Sequence, residues 1–88
     1  MQLTEEMEIF ELSFIKRGRN RKKVMNALSK GIKTNKQISE ETGILQRNVS
    51  TTLKQLGEHE LVKCTNPKVR QGKLFKLTEK GEELNKFL

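Results

Sequence analysis

Apolar residues recur at helical spacing through most of this chain and alternate only near its end. In the first part, Met7, Phe10 and Phe14 stand at positions i, i+3 and i+7, which is typical of one face of an α-helix. Thr4 precedes this run as a candidate N-cap, and acidic residues follow in the first turn. A short edge strand over residues 8–12 (EIFEL) fits nearly as well. The pattern therefore predicts an amphipathic helix, with that strand as the alternative.

A second helix is predicted between two glycines. Val24, Met25 and Leu28 repeat at helical spacing, Gly18 marks a break before them, and Gly31 stands where a C-terminal cap would. Six basic residues crowd the beginning of this helix: Lys16, Arg17, Arg19, Arg21, Lys22 and Lys23. Positive charge at a helix start opposes the helix dipole, so either a phosphate contact or plain solvation must favour it.

A short helix and a tight turn come next. Thr34 or Asn35 can cap this helix, which buries Ile38. The helix ends at Gly43, a residue that adopts the left-handed conformation of a tight turn at no steric cost. Just before it, Ile32 fits a very short strand.

The fourth helix is predicted from residue 45 to about residue 57 or 59. Its apolar residues stand at i, i+4, i+8 and i+11, and so define one face. They are Leu45, Val49, Leu53 and Leu56. Residues 42–56 contain no Asp or Glu, although a third of the whole chain is charged. The exposed face of this helix is therefore expected to meet something negatively charged.

The period changes in the last third of the chain. Residues 62–64 alternate between apolar and basic side chains, and residues 74–77 form a second alternating run. A seven-residue turn, NPKVRQG, joins them, so the pattern predicts a β-hairpin. A closing helix is predicted to start at a Thr78 cap. Its buried side is expected to hold Leu84, Phe87 and Leu88.

Charge is the most informative part of the composition. The 88 residues suffice for one small domain and carry 18 Lys and Arg against 11 Asp and Glu, a net charge of +7. Residues 1–12 hold four of the acids and no base, so the rest of the chain has 18 bases against seven acids, or +11. This excess indicates attraction to a polyanion, most often nucleic acid, with a solvated basic surface as the alternative.

The single cysteine and the absence of long apolar runs indicate the cellular location of the protein. Cys64 has no partner for an intrachain disulfide, which is typical of a reducing, cytoplasmic location. No apolar run approaches the roughly 20 residues that cross a bilayer, and the acidic first residues differ from a basic secretory signal. A cytoplasmic protein with no membrane partner is expected.

Neither catalysis nor metal binding is expected. One histidine, His59, and one cysteine, Cys64, leave no set of nucleophile, base and orienting group. Two isolated ligands five residues apart also make a poor zinc site, and Cys64 is expected to be a small buried hydrophobic residue. The acidic pairs at residues 40–41 and 82–83 are expected on exposed helix positions. No cofactor is implied, so the chain is not expected to be an enzyme.

Four sequence features occur in a fixed order within residues 13–83. The short helix ends in Glu-Thr-Gly-Ile (residues 41–44), and the helix after it has a polar face. Leu56 is followed by Leu61 and Val62 at the start of the hairpin, and Leu-Thr-x-Lys-Gly (residues 77–81) closes it. Together they resemble the winged helix-turn-helix domain of MarR-like and ArsR-like prokaryotic transcriptional regulators. The resemblance implies a mainly α fold with a small β-hairpin (α+β).

The resemblance also implies one winged helix domain over residues 1–88. Leu45 departs from the family pattern, which usually has a Ser or Thr cap there, whereas Ser39 is small enough to let two helices cross closely. The parts of the domain would be an N-terminal amphipathic segment (1–15), the helix-turn-helix (34–59), the wing hairpin (61–78) and a C-terminal helix (79–88).

In such a domain the second helix of the helix-turn-helix lies in the major groove of DNA. Acidic residues would be repelled by the phosphates along the groove, which explains why this face lacks them. The outward residues are Gln46, Arg47, Asn48, Ser50, Thr51 and Lys54. Base contacts are expected from Gln46, Arg47, Ser50 and Thr51, and phosphate contacts from Asn48 and Lys54. The alternative is an ordinary solvated face.

Other parts of the chain are expected to flank that helix on DNA. Thr34, Asn35 and Lys36 suit a phosphate at the start of the preceding helix, or serve as ordinary caps. The wing is expected to reach the adjacent minor groove or backbone through Lys68, Arg70 and Lys73, with a solvated loop as the alternative. The cluster Arg17, Arg19, Arg21 and Lys22 would contact either flanking phosphates or the acidic tail of a partner subunit.

The two ends of the chain predict a homodimer. Regulators of this kind often pair their first and last helices across a two-fold axis, with half-sites about 34 Å apart. The alternative is that the apolar residues at both ends complete a monomer core. They are Met7, Ile9, Phe10, Leu12, Phe14, Ile15, Leu84, Phe87 and Leu88.

The leading hypothesis is a transcription regulator that binds double-stranded DNA sequence-specifically. A winged-helix protein-interaction module is the first alternative, since fold alone does not decide function. A non-specific nucleic-acid or RNA-binding protein is the second. Four Phe and no Trp or Tyr argue against stacking platforms for single strands.

Overall fold

Five helices and three short strands form in the expected order in a computed structural model, which describes residues 4–88. The first three residues of the predicted 1–15 segment lie outside the described residues. The elements are α1 (Glu5–Arg17), α2 (Arg21–Ser29), β1 (Lys33–Thr34), α3 (Asn35–Thr42), α4 (Gln46–Glu58), β2 (Val62–Cys64), β3 (Leu74–Leu77) and α5 (Glu79–Asn85). This order confirms the mainly α fold with a small β-hairpin.

The first element is the predicted helix and not the alternative strand. Thr4 caps α1, because its Oγ1 accepts a hydrogen bond from the Met7 amide at 3.1 Å. Three glutamates in the first turn complement the positive end of the helix dipole. Gly18 ends α1, and α2 begins at Arg21.

A double cap fixes the start of α3. Thr34 Oγ1 accepts from the Gln37 amide at 3.1 Å, and Gln37 Oε1 accepts from the Thr34 amide at 2.8 Å. This is a capping box, so Thr34 is the cap and Asn35 is the first helical residue. Gly43 takes the left-handed conformation with φ 78°, which closes the turn as predicted.

Leu45 does not lie on the buried face of α4, contrary to the prediction. It is the N-cap, has a non-helical backbone with φ -58° and ψ 142°, and is 57% exposed. An N-cap residue stands outside the helical spiral, so its side chain does not follow the stripe formed by Val49, Leu53 and Leu56. Ile44 fills the corresponding core position, and Thr52 is buried beside the stripe.

The hairpin gains a third strand. β3 lies between β1 and β2, and both neighbours are antiparallel to it. Phe75 on β3 stands opposite Lys33 on one side and Cys64 on the other. The short strand is therefore one residue later than the predicted Ile32, which is exposed. Cys64 is predicted to be buried but is only half-buried. It is the last residue of β2, which is an edge strand of the sheet.

The end of α5 differs from the prediction. Thr78 Oγ1 accepts from the Gly81 amide at 3.0 Å, which confirms the cap, and Leu84 is fully buried. Phe87, expected to be buried, is 54% exposed because the helix ends at Asn85 and Phe87 leaves the helical face. Leu88 is half-buried against the core.

The core joins all five helices to the sheet. Its fully buried side chains include Ile15, Val24, Met25, Ile38, Val49, Leu56, Leu61 and Leu84. Among the apolar residues at the two chain ends, Phe14, Ile15 and Leu84 complete this core, in agreement with the monomer alternative. Four others remain exposed: Met7, Ile9, Phe10 and Phe87.

Across residues 4–88, no helix has the length and apolar character needed to span a membrane.

Candidate nucleic-acid interface

The outward face of α4 carries all six residues predicted from the sequence. The opposite face is fixed in the core by Val49, Leu53 and Leu56. The first acidic residue on the helix is Glu58 at its last turn. The exposed residues of this face are Gln46, Arg47, Asn48, Ser50, Thr51 and Lys54. Residues 46–57 therefore present a polar, basic surface with no carboxylate.

Asn35 ties the first turn of α4 to α3. Its Nδ2 donates to the Gln46 carbonyl oxygen at 3.1 Å and to Ser50 Oγ at 2.6 Å. Asn35 Oδ1 is buried and has no hydrogen-bond partner. The Asn35 amide nitrogen therefore acts inside the fold, while the Ser50 hydroxyl, as an acceptor in this bond, keeps its proton for a further partner.

Thr51 uses its hydroxyl within α4. Thr51 Oγ1 donates to the Arg47 carbonyl oxygen at 3.1 Å, one turn earlier. Its methyl group is then the part free for an apolar contact. A thymine methyl is the base feature that such a group recognises in the major groove.

An open cleft separates the wing from α3 and α4. We call it the wing cleft; it measures about 420 Å³. It brings together residues that the sequence analysis placed in separate elements, Lys36 on α3, Gln46 on α4 and Lys73 at the base of β3. The other lining residues are Thr34, Asn35, Gln71 and Gly72. Gln71 was not identified from the sequence, because the sequence around a polar turn residue does not show which distant residues it lies beside.

The wing loop (residues 65–73) is closed by one asparagine. Asn66 Oδ1 accepts from the Leu74 amide at 2.7 Å, and its Nδ2 donates to the Gly72 carbonyl at 3.3 Å. Lys68 and Arg70 are exposed on this loop and do not line the wing cleft. The two residues therefore extend the basic surface beyond the cleft.

Arg21, a member of the basic cluster expected to contact a phosphate or a partner's acidic tail, is half-buried and makes several contacts within the fold. Its Nη1 donates to the Phe14 carbonyl at 2.6 Å and its Nε to Gln55 Oε1 at 3.3 Å. The guanidinium carbon lies 3.9 Å from the centre of the Phe14 ring, a cation–π contact. Arg21 thus links α1 and α2 to α4.

A second groove runs between the α1–α2 turn and α4. We call it the α2 groove; it measures about 270 Å³. Arg19 and Asn20 line it from the turn, and Asn48 and Thr51 line it from α4. Two members of the basic cluster, Arg19 and the half-buried Arg21, are therefore placed beside the predicted DNA-binding face. Arg17 and Lys22 do not line this groove.

A buried ionic network supports the last turn of α4. Glu11, only 8% exposed, accepts from Lys80 Nζ at 3.1 Å through Oε1, and its Oε2 lies 3.0 Å from His59 Nδ1. Lys80 also donates to the His59 carbonyl at 2.9 Å. The His59 ring stacks on Phe14 with ring centres 3.5 Å apart. The histidine is thus part of the scaffold, and within residues 4–88 no three His, Cys, Asp or Glu side chains form a metal-holding group.

Glu41 is an acid in the last turn of α3, within the helix-turn-helix. A hydrogen bond from Lys30 Nζ at 3.2 Å lowers its pKa below the ordinary value, and the charges of Lys30 and Lys33 act in the same direction. Lys33 Nζ is 3.6 Å from the other carboxylate oxygen. Two cations therefore offset the charge of this carboxylate.

Comparisons with known proteins agree with this geometry. The family model for the bacterial regulatory proteins of the arsR family matches residues 19–63, just over half of the chain. No curated protein matches. Diamide-treated YodB from B. subtilis superposes with a TM-score of 0.78 and is 27% identical over 99% of this chain and 86% of that one.

Two further solved structures share the fold. A MarR-family transcriptional regulator from Enterococcus faecalis V583 has a TM-score of 0.78 at 21% identity, covering 99% of this chain and 81% of that one. Wild-type ZitR from Lactococcus lactis, solved in complex with DNA, has a TM-score of 0.66 at 24% identity, covering 98% and 72%.

Proposed function

The chain belongs to the arsR family of bacterial regulatory proteins, and we propose that it regulates transcription by reading a specific sequence of double-stranded DNA. The observation that carries the proposal is the exposed face of α4, which has no carboxylate between Gln46 and Gly57. A helix face without acids fits the phosphate-lined major groove. ZitR, a structural neighbour, has been solved in complex with DNA, which supports the same mode of action.

Base recognition would come from the first turns of α4. Arg47 matches the paired acceptors of guanine, and Gln46 matches the donor and acceptor of adenine. Ser50 retains a hydroxyl proton, and Thr51 offers its methyl group to thymine. These four side chains are exposed along the part of the helix that enters the groove in helix-turn-helix proteins.

Affinity that does not depend on sequence would come from the cations around α4. Lys36 and Lys73 of the wing cleft, and Lys68 and Arg70 of the wing loop, are exposed. Each phosphate that such a cation neutralises releases counterions and makes binding more dependent on salt. We place these contacts on the DNA backbone and on the minor groove next to α4.

The acting form would be a homodimer in the cytoplasm with no catalytic role. The exposed Met7, Ile9, Phe10 and Phe87 lie on the first helix and just beyond the last one, where a second copy would cover them. A two-fold axis through these ends would present two α4 helices to half-sites about 34 Å apart. The acids of the first turn of α1 suit a position away from DNA.

Selection of binding sites from a random duplex pool tests the proposal. We expect enrichment of one inverted repeat, bound with at least about a thousandfold preference over random duplex. Fluorescence anisotropy on the selected duplex then gives the affinity at several salt concentrations. Failure of the protein to bind any duplex at low salt would overturn the proposal. Binding to the pool without enrichment of any sequence would show that the protein binds DNA non-specifically.

A further inference from the structure

Arg19 differs from the other bases near the α1–α2 turn. Both Arg19 and Arg21 line the α2 groove, but Arg21 is half-buried and held by Phe14 and Gln55. Arg19 is exposed and shares the groove with Asn48. None of the described residues that line this groove is acidic. The groove therefore offers an anion a guanidinium and a side-chain amide without any opposing negative charge.

The two clefts lie on opposite sides of the centre of α4. Successive residues of an α-helix are separated by about 100° around its axis. Gln46 and Asn48 therefore stand about 100° to either side of Arg47. Gln46 lines the wing cleft and Asn48 lines the α2 groove. Arg47 thus points between two polar clefts, each of which contains basic side chains.

The major groove has matching dimensions. It is about 12 Å wide and has a phosphate backbone along each edge. A helix with its side chains is about 10–12 Å across, so it fills the groove and its two flanks face the two strands. Each flank therefore needs its own phosphate-binding group.

Resting on the proposed function, we propose that Arg19 and Asn48 bind a phosphate of one strand, while Lys36 and Lys73 bind the other strand across the same major groove. A guanidinium can form two parallel hydrogen bonds with one phosphate, and the Asn48 amide can add a third. Arg21 has a positioning role in this arrangement, because it fixes the α1–α2 turn against Gln55 of α4.

Single neutral phosphates test which strand each residue binds. Duplexes of the selected site would carry one methylphosphonate at a time, scanned along both strands. We expect wild type to lose affinity at positions on both strands. Arg19→Ala should become insensitive to substitution at one position on one strand, and Lys73→Ala at a position on the other. On the unmodified site, Arg19→Ala should weaken binding roughly tenfold and lower the salt slope by about 0.9.

Arg17→Ala is the matched control, since it removes the same charge two residues earlier from a position outside the groove. We expect it to retain the full phosphate pattern, and Arg19→Lys to retain part of the sensitivity. Circular dichroism melting verifies that each variant is folded. Identical behaviour of Arg19→Ala and Arg17→Ala overturns this inference, as does loss of sensitivity to the same strand in Arg19→Ala and Lys73→Ala. If wild type selects a sequence and Arg47→Ala relaxes that preference, the proposed function stands even when this inference fails.

Discussion

Among single side chains, Arg47 should contribute most to base discrimination, because it is exposed at the centre of the outward face of α4. Arg47→Ala is expected to lose roughly 1–3 kcal/mol of preference at one base pair while random duplex binding changes little. Anisotropy against a panel of single base-pair variants of the selected site measures this. Lys54→Ala is the control, since removing a cation that binds phosphate should weaken all duplexes equally. If Arg47→Ala weakened binding to all duplexes equally, Arg47 would contact the DNA backbone and not a base.

Glu41 gives a prediction about pH. The hydrogen bond from Lys30 is the largest cause of its lowered pKa, so Lys30→Ala should raise that pKa toward the ordinary value. Because the folded pKa lies below the unfolded one, this pairing stabilises the fold above the unfolded pKa, and the contribution is lost as pH falls through the folded pKa. NMR titration of the Glu41 carboxyl carbon measures the shift. An unchanged titration in Lys30→Ala would exclude the hydrogen bond as its cause.

At single residues, the sequence predicts local contacts well and distant contacts poorly. The caps Thr4 and Thr78 are predictable because each bonds an amide three residues away. The roles of Arg21 and His59 are not, since their partners include Gln55 and Glu11, separated from them by 34 and 48 residues. Periodicity reports which face is apolar and carries no information about which charges meet across the fold.

The packing of one element against another depends on a glycine in α5. A Cβ added to Gly81 would overlap the Leu61 carbonyl oxygen, so α5 approaches the residue before β2 through its backbone. Gly81→Ala should destabilise the protein by about 1–3 kcal/mol through overpacking. Gly57→Ala is the matched helical control. Its added Cβ would lie 3.9 Å from the Val62 carbonyl oxygen, an ordinary van der Waals distance, so stability should rise by up to about 1 kcal/mol. Urea unfolding measures the stability of both variants. If Gly81→Ala were as stable as Gly57→Ala, the close packing at Gly81 would be refuted.

The wing gives a prediction that separates it from α4. Removing the two exposed cations Lys68 and Arg70 should lower the salt slope of binding by about 0.9 for each phosphate that they neutralise. Sequence preference at the bases read by α4 should be unchanged. Lys86→Ala, which removes an exposed charge beyond α5, is the control. A double variant with the wild-type salt slope would show that the wing loop is only solvated.

At the scale of elements, the hydrophobic period predicts type and order, and its errors fall at element ends. Leu45 and Phe87 are both predicted on buried faces and both lie just outside a helix, where helical spacing no longer sets the direction of a side chain. β1 is another such case. Two residues are too few for a period, and its existence depends on pairing with β3, which is about 40 residues later in the chain.

For the whole molecule, α4 is held at both ends by polar contacts from other elements. Asn35 of α3 holds its first turns, and the Glu11–His59–Lys80 network holds its last turn against α1 and α5. The same α1 carries the exposed Met7 and Phe10. The surface expected to bind a second subunit and the surface expected to bind DNA are therefore joined through one connected set of contacts.

The proposed homodimer rests on those exposed apolar side chains, and it can be tested apart from DNA. A two-fold interface uses each residue twice, so Phe10→Ser or Phe87→Ser removes two buried rings for each dimer. Burying one such side chain contributes roughly 1.5–3 kcal/mol, so each variant should weaken association at least about tenfold in sedimentation equilibrium. Val69→Ser removes an exposed apolar residue from the wing and should leave association unchanged. If wild type sediments as a monomer at micromolar concentration, or if all three variants associate alike, the ends of the chain do not form the interface. Because dimers bring two α4 helices to one duplex, the variants that dissociate should also lose the preference for an inverted repeat over a single half-site.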